Sequence, residues 1–477
     1  MTYAPPTRPE LLASLTAAVQ AGFPSTVAEL SRLVRIPSVS WAAFDPQQVE
    51  RSADAVAALA KGLGVFDAVH VARSAEAGAS GKLGQPAVVA TRAARNGRPT
   101  VLLYAHHDVQ PPGSEDDWQS PPFEPTLRGD RLFGRGTADD KAGVMAHVAA
   151  IRALVDTAGP DFDLGIALFI EGEEEFGSRS FSNFLNDHRD ELAADAIVVA
   201  DSGNWDIDTP AITVGLRGNV TLRLTVSTLK HATHSGMNGG AVPDAMMAMI
   251  LLLATLYNPD GSVAVDGLTG ADSDTPQYSE ERLREESGLL PGVSPIGTGS
   301  ILGRIWSKPS ITITGIDAPT VANASNTLMP STAVRISARI APGQDAKVAY
   351  TALEAHLRAR APFGARVEID DVDMGSPFLV DTSGWAVAEA KQSMADAWGA
   401  DVVEMGVGGS IPFIATLVEV FPEAQILVTG VEDPDSRAHS PNESLHLGVF
   451  RRAVLTEAVF LARLNERDAT SETHSRE

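Results

Sequence analysis

Between about residues 98 and 202, short apolar runs alternate with helical patterns, and this alternation limits the fold more than any other feature. Residues 100–104 (TVLLY), 164–170 (LGIALFI) and 196–200 (AIVVA) carry apolar side chains on both faces of an extended chain, as strands covered from both sides do. Between the first two, Val144, Val148, Ile151 and Val155 form one stripe of a helix. Such repetition predicts a mostly parallel, doubly wound sheet with helices on both faces. Upstream, Thr26 and Glu29 have capping-box spacing. Val27, Leu30, Leu33 and Val34 then predict a helix that starts near Thr26 and stops before Pro37.

The middle of the chain follows another rule. Val220, Leu222, Leu224 and Val226 alternate with Thr221, Arg223 and Thr225, the pattern of a strand with one wet face. A helix over 241–257, strands over 310–315 and 334–340, a helix over 345–360 and a strand over 366–371 complete the order βαββαβ, the plan of a small α+β domain. Residues 258–308 are polar and broken by Gly and Pro, which predicts a long excursion. The α/β style returns with a helix over 384–397, a strand over 426–431 and a helix over 447–465, ahead of a polar tail from Arg467 expected to fray. The simplest division is an α/β domain over 1–214 and 379–477, interrupted by an α+β domain over 215–378.

Composition removes several functions. Thirty-seven Lys and Arg against 61 Asp and Glu give a net charge of -24, which repels phosphate backbones and anionic membrane surfaces, so neither nucleic acid nor membrane is expected as a partner. There is no cysteine, hence no thiol nucleophile and no thiolate metal site; any metal must be held by His, Asp or Glu. No signal peptide is visible at the start, and the apolar run 245–257 is too short to span a bilayer. A cytoplasmic protein is the expectation.

Acidic and imidazole groups collect just past the ends of the predicted buried strands. Ala105-His106-His107-Asp108 follows the first, Glu171-Gly172-Glu173-Glu174-Glu175 the second and Asp201 the third, while His439 lies in the loop after 426–431. Open α/β sheets bind ligands at the carboxyl ends of their strands, so this edge could assemble a thiolate-free metal site. Asp108, two residues beyond His106, can accept the other imidazole N–H and fix its tautomer. Asp139 and Asp140 could equally cap a helix starting near Lys141. A run of carboxylates directly after a core strand is repulsive unless cations or shared protons compensate.

In order, the segments YAHHDVQP (104–111), GRGTADDK (134–141), EGEEEFGS (171–178), AD (200–201), HSGxxGG (234–240), GGSIP (408–412) and HSPNE (439–443) resemble the dinuclear metallopeptidases of the M20 group. That group includes carnosinase-like cytosolic dipeptidases, carboxypeptidases and N-acyl amino acid deacylases, and the likeness spans about 100–445. It implies a catalytic domain interrupted by a lid that dimerises, and two divalent ions bridged by Asp139; imidazole and carboxylate donors suit zinc or manganese, with cobalt also suitable. His106 and Asp201 would hold one ion, and Glu175 and His439 the other. Asp108 would support His106, and Glu174 would be the general base. The likeness further implies a cis peptide between Asp139 and Asp140. His234 would reach the partner subunit's active site as an oxyanion donor, Arg339 would grip the substrate carboxylate, and Gly408, Gly409 and Ser410 would line the pocket. Lys230-His231-Ala232-Thr233 and Met329-Pro330 depart from the usual wording of the lid.

The wording of HHDVQP and EGEEEFGS, together with the 258–308 excursion, resembles the dipeptidase branch. The expected function is hydrolysis of small peptides with a free C-terminal carboxylate by a homodimer. The alternative is an N-acyl amino acid deacylase using the same metals. A non-catalytic metal-binding protein would have lost the base or a ligand, and a glycosidase built on Glu174 and Asp201 would need a protonated carboxyl in place of metals.

Overall fold

Four strands, Gly165–Glu171, Thr100–His106, Ala196–Val199 and Gln425–Val428, lie side by side and parallel in a computed structural model describing residues 3–78, 81–272, 275–408 and 412–467. Almost every residue in them is buried, as the unbroken apolar runs require of strands covered on both faces. The sheet as a whole is mixed. Ala87–Arg92 and Ala68–Ala72 extend one edge antiparallel, and the strand that begins at Ala211 joins Gln425–Val428 antiparallel at Thr213. These added strands have too little apolar alternation to stand out in the sequence.

The chain divides into two compact units, Met1–Val214 with Val380–Met405 and Thr416–Glu477, and Gly215–Leu379 with Gly406–Ala415. In the first, Val101, Leu103 and Ala105 face the helix Lys141–Ala158, which packs between Pro9–Val34 and Leu447–Glu466. On the opposite sheet face Tyr104 and Phe169 meet Phe181 and Phe184, with 4.9 Å between the stacked Phe169 and Phe184 rings. The first helix runs unbroken from Pro9 to Val34, not from Thr26. Leu15 and Val19 continue the stripe of Leu30 and Leu33, so burial carries the helix through Pro24, and the Thr26 hydroxyl donates back to the Gly22 carbonyl instead of capping. This helix is long and apolar enough by composition to cross a membrane; Leu15, Val19, Leu30, Leu33 and Val34 are buried in the core, while most of its other residues are not.

The second unit carries an antiparallel sheet in the order Ser310–Asp317, Ser331–Ile340, Gly218–Ser227, Arg366–Gly375. Burial alternates residue by residue along Gly218–Ser227 and Ser331–Ile340. Their inward side chains, with Ala248, Met249, Leu252, Ala349, Leu353 and Leu357 from the helices Ala245–Ala254 and Ala346–Ala359, form one core. Asp244 and Asp345 cap those helices, accepting from Met247 N at 3.2 Å and Val348 N at 2.8 Å. The 258–308 excursion contains two short helices, Glu280–Ser287 and Ile301–Trp306. The tail beyond Arg467 lies outside the described residues.

Candidate metal centre

Because the four central strands run parallel, their carboxyl ends share one edge, and His106, the Glu171–Glu175 segment and Asp201 emerge there together. Two donor groups form: His106, Glu174 and Asp201, and Asp139, Glu175 and His439. Asp139 joins them. Its Oδ1 lies 3.2 Å from His106 Nε2, and its Oδ2 lies 3.0 Å from His439 Nε2. His439 Nε2 is also 3.1 Å from Glu175 Oε2, and Asp201 Oδ1 is 3.9 Å from His106 Nε2.

The adjacent aspartates divide the work between the cap and the cluster. Asp140 caps the Lys141–Ala158 helix through Gly143 N and also accepts from His106 N, both at 3.1 Å, while Asp139 turns into the cluster. The peptide between them is cis. The carboxylate run divides likewise. Glu173 accepts from Gln85 N and Ser180 N, and buried Glu171 accepts from the Tyr104 hydroxyl at 2.6 Å. Burial pushes the Glu171 carboxyl up to about 8. Only Glu174 and Glu175 enter the donor groups.

Asp108 organises this edge. Its two oxygens accept the amides of Glu174 at 3.1 Å and Glu175 at 3.2 Å, and Ser40 donates to it at 2.7 Å. His106 Nδ1 is 3.4 Å from the Asp108 carboxylate but 3.1 Å from the Asp108 carbonyl, so the backbone shares the task of fixing the ring. His107 points the other way, to the Pro86 carbonyl at 2.9 Å, and burial holds its pKa down to about 4.

Two contributors escaped the sequence reading. Gln110 donates its amide N and side chain to Glu175 at 3.1 and 2.6 Å. Glu443 is fully buried and accepts from Ala138 N at 2.9 Å, Asp139 N at 3.2 Å, Gly136 N at 3.1 Å and Arg135 Nη1 at 2.7 Å. Both lie inside the motifs HHDVQP and HSPNE; glutamine is not one of the available ligand types, and Glu443, though of a ligand type, ends its motif with nothing in the sequence to show which groups it holds.

The donors suit divalent cations. Ligands bound at 2.0–2.1 Å with tetrahedral angles lie about 3.3 Å apart, close to the separations around Asp139. His106 Nε2 is buried and makes no hydrogen bond although carboxylates surround it. Burial, together with the neighbouring negative charges, raises the Glu174 carboxyl and lifts Glu175 to about 7 and Asp201 to about 6. The hydrogen bonds that His439 donates to Asp139 and then to Glu175 hold its pKa up at about 11. For His106, burial acts to lower the pKa, but Asp108 and Asp139 outweigh it and the net shift is upward. So many negative groups packed this closely favour a compensating positive charge at the cluster.

In the second unit, His234 is exposed in the short pairing of Thr233–His234 with Thr327–Leu328. Its Nδ1 accepts from Gly236 N at 3.0 Å, which leaves Nε2 as the protonated, donating nitrogen. Arg339 is half-buried, opposite Asn219 and Ser310 in the sheet, and burial lowers its pKa. Beside it stands Arg217, another residue that sequence reasoning missed. Arg217 donates to the carbonyls of Gly408 at 3.1 Å and Lys308 at 3.3 Å, and to Ser310 Oγ at 3.2 Å. Burial and then the Arg339 charge bring its pKa down to about 10. A Cβ at Gly408 would lie 3.0 Å from Arg217 Nη2 and 3.1 Å from Ile305 Cγ2, so glycine suits this approach. Gly409 and Ser410 lie outside the described residues.

The chain is 35% identical over 368 residues to a cysteinylglycine-S-conjugate dipeptidase of Corynebacterium striatum, covering 76% of this chain and 80% of that protein. Its fold matches the dipeptidase Dug1p of Saccharomyces cerevisiae with a TM-score of 0.80 at 22% identity, over 96% of this chain and 99% of the other. It matches human carnosine dipeptidase 1 with a TM-score of 0.78 at 23% identity, over 97% and 100%. The family model Peptidase family M20/M25/M40 covers residues 102–463, a span that includes both donor groups. This chain is therefore a member of peptidase family M20/M25/M40, a metallopeptidase that hydrolyses peptide bonds.

Proposed function

We propose that the chain is a dipeptidase with a dinuclear centre, in which His106 and Asp201 hold one divalent ion, Glu175 and His439 the other, and Asp139 bridges them. The observation that carries this reading is the pair of Asp139 oxygens, 3.2 Å from His106 Nε2 and 3.0 Å from His439 Nε2. Zinc, manganese and cobalt all suit imidazole and carboxylate donors. When bound, such ions polarise the scissile carbonyl and acidify the attacking water.

Glu174 is the general base in this reading. It is less buried than Glu175, and burial with the Asp201 charge raises its carboxyl, which equips it to take the water's proton and return it to the leaving amine. Asp108 holds the Glu174 and Glu175 amides, so base and ligand keep their spacing through the proton transfer. The donating Nε2 of His234 stabilises the oxyanion, reaching the partner's site in a homodimer formed through the second unit. Arg339 grips the C-terminal carboxylate of a small peptide, and Arg217 adds charge beside it while tethering Gly408. The dipeptide preference rests on the 35% identical relative, named as a dipeptidase.

The test is a competition. Chelator-stripped protein restored with zinc or manganese receives an equimolar mixture of dipeptides, Cys-Gly included, and N-acetyl amino acids, followed by mass spectrometry. Metal-dependent loss of the dipeptides alone supports the proposal. Loss of the acetylated compounds alone moves the activity to deacylation, and no consumption with either metal sinks the substrate assignment.

A further inference from the structure

Away from the centre, at the edge of the first unit's sheet, two more imidazoles converge on a carboxylate. His70 lies on the edge strand Ala68–Ala72, opposite Val89, while His188 and Glu191 sit at the junction of the helices Phe181–Asp187 and Arg189–Leu192. Glu191 offers one oxygen to each ring: Oε1 is 2.9 Å from His188 Nδ1, and Oε2 is 3.4 Å from His70 Nε2. The three donor atoms lie within 4.8 Å of one another, from segments more than a hundred residues apart.

We propose that His70, His188 and Glu191 form a further divalent metal site of the zinc type, separate from the M20 centre. The two imidazole–carboxylate separations, 2.9 and 3.4 Å, are close to the roughly 3.3 Å between ligands of a tetrahedral ion bound at 2.0–2.1 Å. Two imidazole nitrogens select a first-row transition metal over calcium or magnesium, which take oxygen donors. The site is partly built before the ion arrives. The His188 ring stacks on Phe184 at 4.4 Å between centroids, and Glu191 is fixed one helical turn beyond His188. The nearest arginine in sequence, Arg189, is turned away to the Val420 carbonyl. The His70 and His188 rings are 5.9 Å apart and tilted by 38°, so their nitrogens converge on one carboxylate without the rings stacking face to face. Three protein ligands leave a fourth position for water, and side-chain exposures of 39% for His70 and 40% for Glu191 leave it accessible.

The experiment is metal stoichiometry on the full-length protein at rising free zinc, for wild type, His188→Ala and His70→Gln, with His231→Ala as control. Wild type and control are expected to bind one zinc per chain more than either variant. The cobalt-loaded wild type and control should also show more visible absorbance per chain than either variant, whose cobalt would sit in the M20 centre alone. The difference of one ion does not depend on how many the M20 centre holds, and dipeptide hydrolysis should be unchanged in the variants. His70→Gln, on a half-exposed edge strand, keeps the comparison valid if His188→Ala loosens its helix. Equal stoichiometry in all four proteins would overturn the proposal, as would loss of the additional ion in the control.

Discussion

Glu443→Gln is the sharpest probe of the scaffold behind the proposed bridging aspartate. The Glu443 carboxylate receives donors on both oxygens: the Ala138 and Asp139 amides on Oε1, and Gly136 N with Arg135 Nη1 on Oε2. A glutamine amide cannot satisfy this set, because either flip points its NH2 at two donors. It also leaves Arg135, which is 1% exposed, without its counter-charge. Breaking a buried pair by removing one partner costs about 3–5 kcal/mol. At a few degrees per kcal/mol, the melting temperature should fall by roughly 5–15 °C. Because Glu443 holds the Asp139 amide, zinc affinity should also drop about 10–100-fold, the range for losing an outer support of a ligand. Differential scanning fluorimetry at fixed scan rate and a competitive chelator titration read the two effects. Adding Arg135→Met to the variant should return part of the lost stability, since the stranded charge is gone. If Glu443→Gln melts with wild type and holds zinc as tightly, the reasoning about this carboxylate is wrong.

Other outcomes are equally specific. Glu174→Ala should retain metal yet lose nearly all turnover; loss of metal instead would mean that the roles of Glu174 and Glu175 are exchanged. His234→Ala should lower kcat far more than it weakens metal binding, and mixed dimers with Glu174→Ala should regain activity if the imidazole crosses to the partner subunit. Arg339→Lys should chiefly raise KM for substrates with a free carboxylate, and an equal rise for amidated substrates would discard the clamp. For His147, buried with Nδ1 2.8 Å from Glu457, burial acts to lower the pKa, but Glu457 outweighs it and the net shift is upward. A raised folded pKa means that this contribution is complete below the unfolded value of about 6.5 and is lost as pH climbs through the folded value. The melting temperature of His147→Gln should lack that alkaline decline, and parallel curves for the two proteins would contradict it.

The layered fold was legible in sequence wherever burial is one-sided or complete. The runs at 100–104 and 164–170 read as strands covered on both faces and the alternation from Val220 to Val226 as a strand with one dry side, and the structure has strands at all three places. Local pattern misled at Thr26, where the capping-box spacing lost to a buried stripe that begins at Leu15. It was silent for Ala68–Ala72, whose weak alternation acquires meaning only through pairing with Ala87–Arg92.

The candidate site divides along the same line. Residue type, strand-end position and motif order bring forward His106, Asp139, Glu174, Glu175, Asp201 and His439, although His107, Glu171 and Glu173 at the same strand ends are taken up by other partners. Which carboxylate faces which imidazole is a property of three-dimensional placement. Asp140 turns to the helix amide and Asp139 to both histidines, and Glu173 is taken up by Gln85 and Ser180 while its two neighbours are not. Glu443, Gln110 and Arg217 matter through the groups they hold, and the sequence carries no sign of those groups because hydrogen-bond partners more than a hundred residues apart are joined only by the fold. Gln110 and Glu175, 65 residues apart, make the same point at shorter range. The convergence of His70 with His188 and Glu191 is of that kind too, since an edge strand and a helix junction become neighbours only when the sheet closes against its helices.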